Sequence, residues 1–315
     1  MSQAWTRISI GAALMTGTLA LLVADMAIDQ GLGAPASPCF WMVLLGVLLV
    51  GAWEFARMLR LKGYPCRPGV AMVFTAVLVA CVWAEVHDQV RHTTDFADPC
   101  FSCTRWFYII GPNPETLALA VLVLVTYTLE VVGVERAGGN LGRASASVAW
   151  TLLIVLSVGL LGTFLARIRF FESPATGPGL SYLLLTLGTI KVGDIGAYAV
   201  GSTLGRRQLV PTLSPKKTWA GLVSALAAGV AAALAIGSGW IGLAWWKMAL
   251  FGLTVGTAGV LGDLGESLIK RTCGVKDSGA IPGFGGALDI LDSILGAAPI
   301  AYLMLVVLTG HAPMR

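Results

Sequence analysis

Charged residues are scarce in this chain: Asp, Glu, Lys and Arg make up 12% of its 315 residues. A soluble domain carries about twice that fraction. With 56% hydrophobic residues and a mean hydropathy of +0.80, the composition excludes a soluble globular protein and implies an integral membrane one. The net charge is only +4, and the sequence has neither a long basic tail nor a basic stripe interleaved with aromatics. Nucleic acid is therefore excluded as an expected partner. No small-residue cleavage site follows the apolar segment Ile8–Ala24, so this segment reads as a retained span, not a signal peptide. Metal-ligand spacing is lacking among the six cysteines, where only Cys100 and Cys103, in "CFSC", lie close together. Zinc would need two further ligands, and Cys39, His87 and His92 are scattered, so incidental cysteines or an extracytoplasmic disulfide suit the pair better. Internal repeats, low-complexity tracts and a separate soluble domain are also absent.

What is there is a series of apolar runs. A span needs about 20 mostly apolar residues, and nine segments qualify: 8–24, 40–58, 69–86, 116–133, 146–166, 180–201, 219–238, 241–262 and 290–309. The expected fold is thus all-α and polytopic, with "GSGW" as a tight hairpin between the seventh and eighth spans. Lys and Arg collect on cytoplasmic loops. They cluster at Arg57, Arg60, Lys62 and Arg67, at Arg206, Arg207, Lys216 and Lys217, and at Lys270, Arg271 and Lys276. All three clusters fall on one side when the N-terminus is cytoplasmic and the C-terminus outside; Arg167 and Arg169 run against the pattern.

The first half is chemically quiet. Glu54, Glu85 and Glu130 lie near span ends, where a carboxylate can reach the headgroup region. The second half differs. "TIKVGDIGAYAVG" places Lys191 and Asp194 one turn apart inside a span, as a structural ion pair or as part of a site. Gly193, Gly196 and Gly201 would let a helix or ligand approach closely. In "SPKKT", Ser214 and Pro215 are expected to fix a turn that sets Lys216 and Lys217 at a span mouth, a combination that suits phosphate.

In "GDLGESLIKR", Asp263, Glu266, Ser267 and Lys270 fall at i, i+3, i+4 and i+7, one continuous helical face. "KD" (Lys276, Asp277) and the glycine-rich "PGFGG" follow. Gly283, Gly285 and Gly286 permit a sharp return of the chain and close backbone approach to a ligand. The turn delivers Asp289 and Asp292 onto one face at the start of the last span, with Ser293 beside them. Carboxylates gathered this way are hard oxygen ligands, and Mg²⁺ sharing its coordination with phosphate oxygens fits them.

These motifs resemble those of the phosphatidate cytidylyltransferases, or CDP-diacylglycerol synthases. That family's signature runs roughly S-x-x-K-R-x4-K-D, a spacer, then P-G-H-G-G-x-x-D-R-x-D. Here Ser267 to Asp292 read "SLIKRTCGVKDSGAIPGFGGALDILD". "DIGAYAVG" from Asp194 and "SPKKTWAG" from Ser214 match further family elements in the family's order, so the resemblance covers roughly the last 125 residues. Phe284 replaces the family's histidine, removing a proton-handling group, and Ile290 replaces an arginine, removing a cation.

The resemblance implies transfer of a cytidylyl group from CTP to phosphatidate at the cytoplasmic face of the cell membrane, with Mg²⁺, a second metal ion and a homodimer as further expectations. It divides the chain into an N-terminal transmembrane region, 1–145, and a catalytic region, 146–315. Carried over residue by residue, Asp263 and Asp289 become the principal metal ligands, supported by Asp292 and Asp277. Lys270, Arg271 and Lys276 join them in catalysis; Ser214, Lys216, Lys217, Ser267, Asp194, Gly285 and Gly286 bind substrate. The competing readings are a non-catalytic or altered-substrate paralogue, and a transporter using Lys191, Asp194 and the acidic cluster as an ion path.

Overall fold

The computed structural model describes residues 37–94, 114–136, 139–171, 179–279 and 286–310. Its elements are α1 (Pro38–Leu61), α2 (Pro68–Thr94), α3 (Pro114–Arg136) and α4 (Leu141–Ile154). A π-helical segment (Val155–Leu160) carries α4 into α5 (Leu161–Arg169). There follow α6 (Leu180–Leu204), β1 (Gln208–Val210), β2 (Ser214–Thr218), α7 (Trp219–Trp240), α8 (Trp245–Thr272) and α9 (Ala287–Thr309). Among the described residues, eight helical stretches are long and apolar enough to cross a membrane, α4 through α5 counting as one. The protein is all-α and multi-pass, and these eight coincide with eight of the nine expected spans. The expected span 8–24 lies outside the described residues, as do Cys100 and Cys103.

The helices start where the local chemistry allows. Pro38, Pro68 and Pro114 open α1, α2 and α3, where a missing N–H costs nothing. Asn140 caps α4 by accepting from the Arg143 N–H at 3.0 Å, and Thr218 caps α7 by accepting from the Gly221 N–H at 3.1 Å.

Two local expectations are corrected. "GSGW" is helical to its end at Trp240, and the reversal comes after it, with Gly242 at φ +69°. Gly237 serves packing instead, because Met248 lies against it where a Cβ would stand. "SPKKT" is a strand, not a turn: β2 pairs antiparallel with β1, Gln208 opposite Thr218 and Val210 opposite Ser214. The turn lies just before it, closed by the Leu213 N–H donating to the Val210 carbonyl at 3.2 Å. Strand periodicity then separates the two lysines, leaving Lys216 exposed and Lys217 half-buried.

The chain forms two compact units. One comprises Met1–Leu160 and Asp277–Leu288. Leu48, Phe55 and Leu59 of α1, Leu78 and Val82 of α2 and Leu122 of α3 are buried in it. Arg67 fastens its helix ends: the backbone N–H donates to Thr151 Oγ1 at 3.0 Å, and Nε pairs with Glu130 at 2.5 Å. Glu130 also accepts from Ser147 Oγ at 2.7 Å, so it is consumed by protein partners and not by the headgroup region.

The other unit comprises Leu161–Lys276 and Asp289–Arg315. Lipid tails are as apolar as leucine, so helices in a bilayer associate through close packing of small residues. That is how α6 meets α7: a Cβ at Gly193 would stand 3.1 Å from the Ala225 carbonyl oxygen, and one at Gly196 would stand 2.7 Å from the Ala228 Cβ. At Gly201 it would meet the Gly221 Cα at 3.3 Å. These three glycines therefore admit a helix.

Candidate active site

Three features of the second unit build the site. The first is a crossing of α8 and α9 at Gly262 and Gly296. A Cβ on Gly262 would stand 2.6 Å from the Asp292 carbonyl oxygen and 2.8 Å from the Gly296 Cα, so the two backbones touch. The crossing sets the residues just beyond Gly262 against the first turns of α9. Asp263, Glu266 and Asp292 then bring carboxylate oxygens within 4.8 Å of one another.

Two ionised carboxylates at that separation repel by about 3 kcal/mol at an effective dielectric near 20. Cations compensate in part. Lys217 Nζ lies 2.6 Å from Asp263, and Lys270 Nζ bridges Glu266 at 3.1 Å and Asp289 at 2.7 Å. With all four carboxylates ionised, as a bound cation would require, two ammonium groups leave an excess of two negative charges. Hard oxygen donors with that excess fit one divalent cation held by Asp263, Glu266 and Asp292.

The second feature is a cavity of about 690 Å³ whose lining includes Asp194, Ser202, Arg206, Lys216, Lys217 and Asp263. It joins α6, the β-hairpin, α7 and the Asp263 edge of the acidic cluster. The third is a fastening of α6 to α9. Lys191 Nζ donates to Asp194 at 3.3 Å, to the Ile290 carbonyl at 3.1 Å and to Ser293 Oγ at 3.3 Å. Ser293 Oγ donates to Asp194 at 3.2 Å. The Lys191–Asp194 pair thus ties α6 to α9, while Asp194 also borders the cavity. Although residue 290 is isoleucine, Lys191 sets an ammonium on the α9 backbone there.

The sequence-predicted residues divide accordingly. Asp263, Asp292, Asp289, Lys270, Lys217, Lys216 and Asp194 come together in the cluster, its lysine bridges and the cavity. Arg271 turns to the hairpin, donating from Nε to the Leu213 carbonyl at 3.1 Å. Ser214 and Ser267 are half-buried, whereas Lys276 and Asp277 are exposed, Asp277 at the start of the first unit's second segment. Phe284 and Gly285 lie outside the described residues.

One residue with a part here carried no assigned role in the sequence reading. Glu266 sits in the cluster, and its i+3 spacing from Asp263 was the signal. Glu54 belongs to the first unit, and only its place in an apolar run marked it. Instead of reaching the headgroup region it is 4% exposed within the first unit. Its carboxylate accepts from the Leu288 N–H at 2.9 Å and from Ser278 Oγ at 3.4 Å. Gly286 packs on the same carboxylate, which leaves no room for a side chain.

Glu54 therefore satisfies the Leu288 N–H in the first turn of α9. Glu54→Ala is expected to cost about 1–3 kcal/mol, the penalty of a buried donor left unsatisfied. A lowered thermal midpoint in detergent reads this, with Glu54→Gln intermediate because its amide oxygen still accepts. An unchanged midpoint in the alanine variant would rule out the capping role.

The chain matches the Cytidylyltransferase family over residues 5–308. A phosphatidate cytidylyltransferase of Mycobacterium tuberculosis is 35% identical over 273 residues, 86% of this chain and 76% of the relative. One of Synechocystis is 32% identical over 278 residues, 83% of this chain and 86% of the relative. That of Brucella suis is 37% identical over 126 residues, 40% of this chain and 47% of the relative.

Proposed function

The chain belongs to the cytidylyltransferase family, and from that membership we propose that it transfers a cytidylyl group from CTP to phosphatidate, giving CDP-diacylglycerol and pyrophosphate. The observation that carries this reading is the convergence of Asp263, Glu266 and Asp292 beside a cavity lined by Arg206, Lys216 and Lys217. In the reaction a lipid phosphate oxygen bonds to the α-phosphorus of CTP, and the bond from that phosphorus to the bridging oxygen breaks as pyrophosphate leaves. The attacking phosphate is already ionised at neutral pH, so no strong general base is required, and Phe284 in place of a histidine is compatible with turnover.

What the site must supply is positive charge, since two polyanions meet and a third departs. Lys216, Lys217 and Arg206 are placed along the cavity to hold the nucleotide's phosphates. Lys270, held between Glu266 and Asp289, can exchange a carboxylate for a phosphate, which would turn Asp289 toward the cluster. Arg271 and Lys276 serve the outer phosphates, with Ser214 and Ser267 as hydrogen-bond donors. Asp263, Glu266 and Asp292 would hold Mg²⁺, with Asp289 in support. When bound, the ion neutralises charge on the phosphate oxygens and the departing pyrophosphate. A second metal ion and a homodimer belong to the same proposal.

Residues 146–315 form the catalytic region in this reading. The Lys and Arg clusters around the ends of α1, α6 and α8 support a site at the cytoplasmic face of the cell membrane, with the N-terminus on that side. A lipid substrate accounts for the depth of the acidic cluster, because its phosphate lies at the interface while its chains stay among the helices. Transport is the less favoured reading, since each of the relatives above is named as a phosphatidate cytidylyltransferase.

The test is pyrophosphate release by the purified protein in detergent with Mg²⁺, CTP and phosphatidate. Turnover is expected only when all three are present, and to be lost when ATP or GTP replaces CTP. A folded protein that gives no lipid-dependent release with any donor would end the cytidylyltransferase reading.

A further inference from the structure

The first unit contains a second cavity, of about 630 Å³, built from different residues. It lies where the C-terminal ends of α1 and α3 meet the start of α4, and its lining includes Arg60, Tyr64, Arg67, Glu130, Arg143 and Ser147. Its volume falls within the range of about 300–1,000 Å³ typical of ligand sites. The positive-inside rule accounts for arginines near these helix ends. It does not account for three of them converging on one concavity.

The charges do not cancel. Glu130 takes Arg67 Nε at 2.5 Å and Ser147 Oγ at 2.7 Å. Arg67 is also held by the Leu129 carbonyl, to which its guanidinium donates at 3.0 Å. With Arg67 and Glu130 matched, Arg60 and Arg143 remain as exposed guanidinium groups of the lining, an excess of two positive charges. A guanidinium fork matches the oxygens of a phosphate.

The surroundings distinguish an amphiphile from a soluble anion. The same helix ends also expose apolar side chains: Leu61 of α1, Val131 and Val132 of α3 and Leu141 of α4. Tyr64 packs on Trp150 with ring centroids 5.2 Å apart, an aromatic pair of the kind found at headgroup level. Basic pockets between helices at that level take anionic lipid headgroups.

We propose that this cavity binds the phosphate of an anionic glycerophospholipid, with the acyl chains against the exposed apolar residues of α1, α3 and α4. The site shares no lining residue with the cavity of the other unit, and it needs only the phosphate, so a phosphodiester lipid that cannot accept a cytidylyl group will occupy it.

Native mass spectrometry of the full chain in detergent, titrated with phosphatidylglycerol or phosphatidylcholine, tests the proposal. Wild type is expected to retain phosphatidylglycerol in preference to phosphatidylcholine. The double variant Arg60→Gln/Arg143→Gln should bind phosphatidylglycerol about thirtyfold more weakly, two surface cations being lost. Both arginines are exposed, and the thermal midpoint of the variant checks that it is folded; Arg60→Lys/Arg143→Lys, which keeps the charge, should recover most of the binding. Equal phosphatidylglycerol retention by wild type and the glutamine variant would overturn the site. Complete displacement of the lipid by millimolar inorganic phosphate would overturn its assignment to a lipid. Failure of the cytidylyl-transfer assay would leave all these readouts unaffected.

Discussion

Asp263→Asn is expected to lower turnover by about a thousandfold while leaving the protein folded, and to abolish its stabilisation by Mg²⁺. Removal of a metal-holding group that acts on transferring phosphates costs about 4 kcal/mol of barrier when the rate falls by that factor. The stability sign separates this from a structural effect. Without metal, the substitution removes repulsion between Asp263 and its neighbours Glu266 and Asp292, but it also takes the partner of Lys217, 2.6 Å away. The two changes oppose, so the metal-free thermal midpoint should move little. In wild type, added Mg²⁺ should raise the midpoint as RT ln(1 + [L]/Kd), and in Asp263→Asn that rise should vanish.

Asp289→Asn provides the comparison. Its carboxylate rests on Lys270 at 2.7 Å instead of in the three-carboxylate group, so the variant should keep most of the Mg²⁺-induced rise even where its turnover falls. Equal loss of metal stabilisation in both variants would place Asp289 in the metal set of the resting protein and sink the distinction drawn here.

The second large effect is a matter of shape. Gly262→Ala is expected to destabilise the protein by about 1–3 kcal/mol or more, the range for overpacking, and to depress turnover with it. The new methyl would stand 2.6 Å from the Asp292 carbonyl oxygen and 2.8 Å from the Gly296 Cα, and neither atom belongs to a side chain that can turn away. The helices must separate, which pulls Asp263 and Glu266 away from Asp292. Gly265→Ala is the control, since it adds the same methyl three residues along α8 with nothing within 4 Å. Replacing a helical glycine there should stabilise by up to about 1 kcal/mol. Thermal midpoints of the two variants, side by side, decide whether the crossing or merely a glycine in α8 matters.

The sequence made much of this visible, unevenly. The eight described spans were legible because the need for about 20 apolar residues is a local property of the chain. Asp263 and Lys270 on one face of α8 followed from helical period alone. The β-hairpin at Gln208–Thr218 did not, because proline beside serine reads as a turn, and only pairing with β1 makes "SPKKT" extended. "GSGW" misled for a related reason: Gly237 serves helix packing against Met248, not chain reversal.

The sequence by itself determined that this is a polytopic helical membrane protein of the cytidylyltransferase family. It also determined that the acidic and basic residues of the family's motifs lie in the chain's second half, from Asp194 to Asp292. Composition, period and motif order are written along one dimension. Tertiary structure decided which of those charges meet. It put Glu266 into the carboxylate group, set Asp289 on Lys270 and turned Arg271 toward the hairpin. It also drew Glu54 from a quiet span onto the Leu288 N–H. Those pairings depend on how closely two backbones approach, and the approach of α8 to α9 is set by two glycines 34 positions apart, Gly262 and Gly296, whose missing side chains no local pattern reveals.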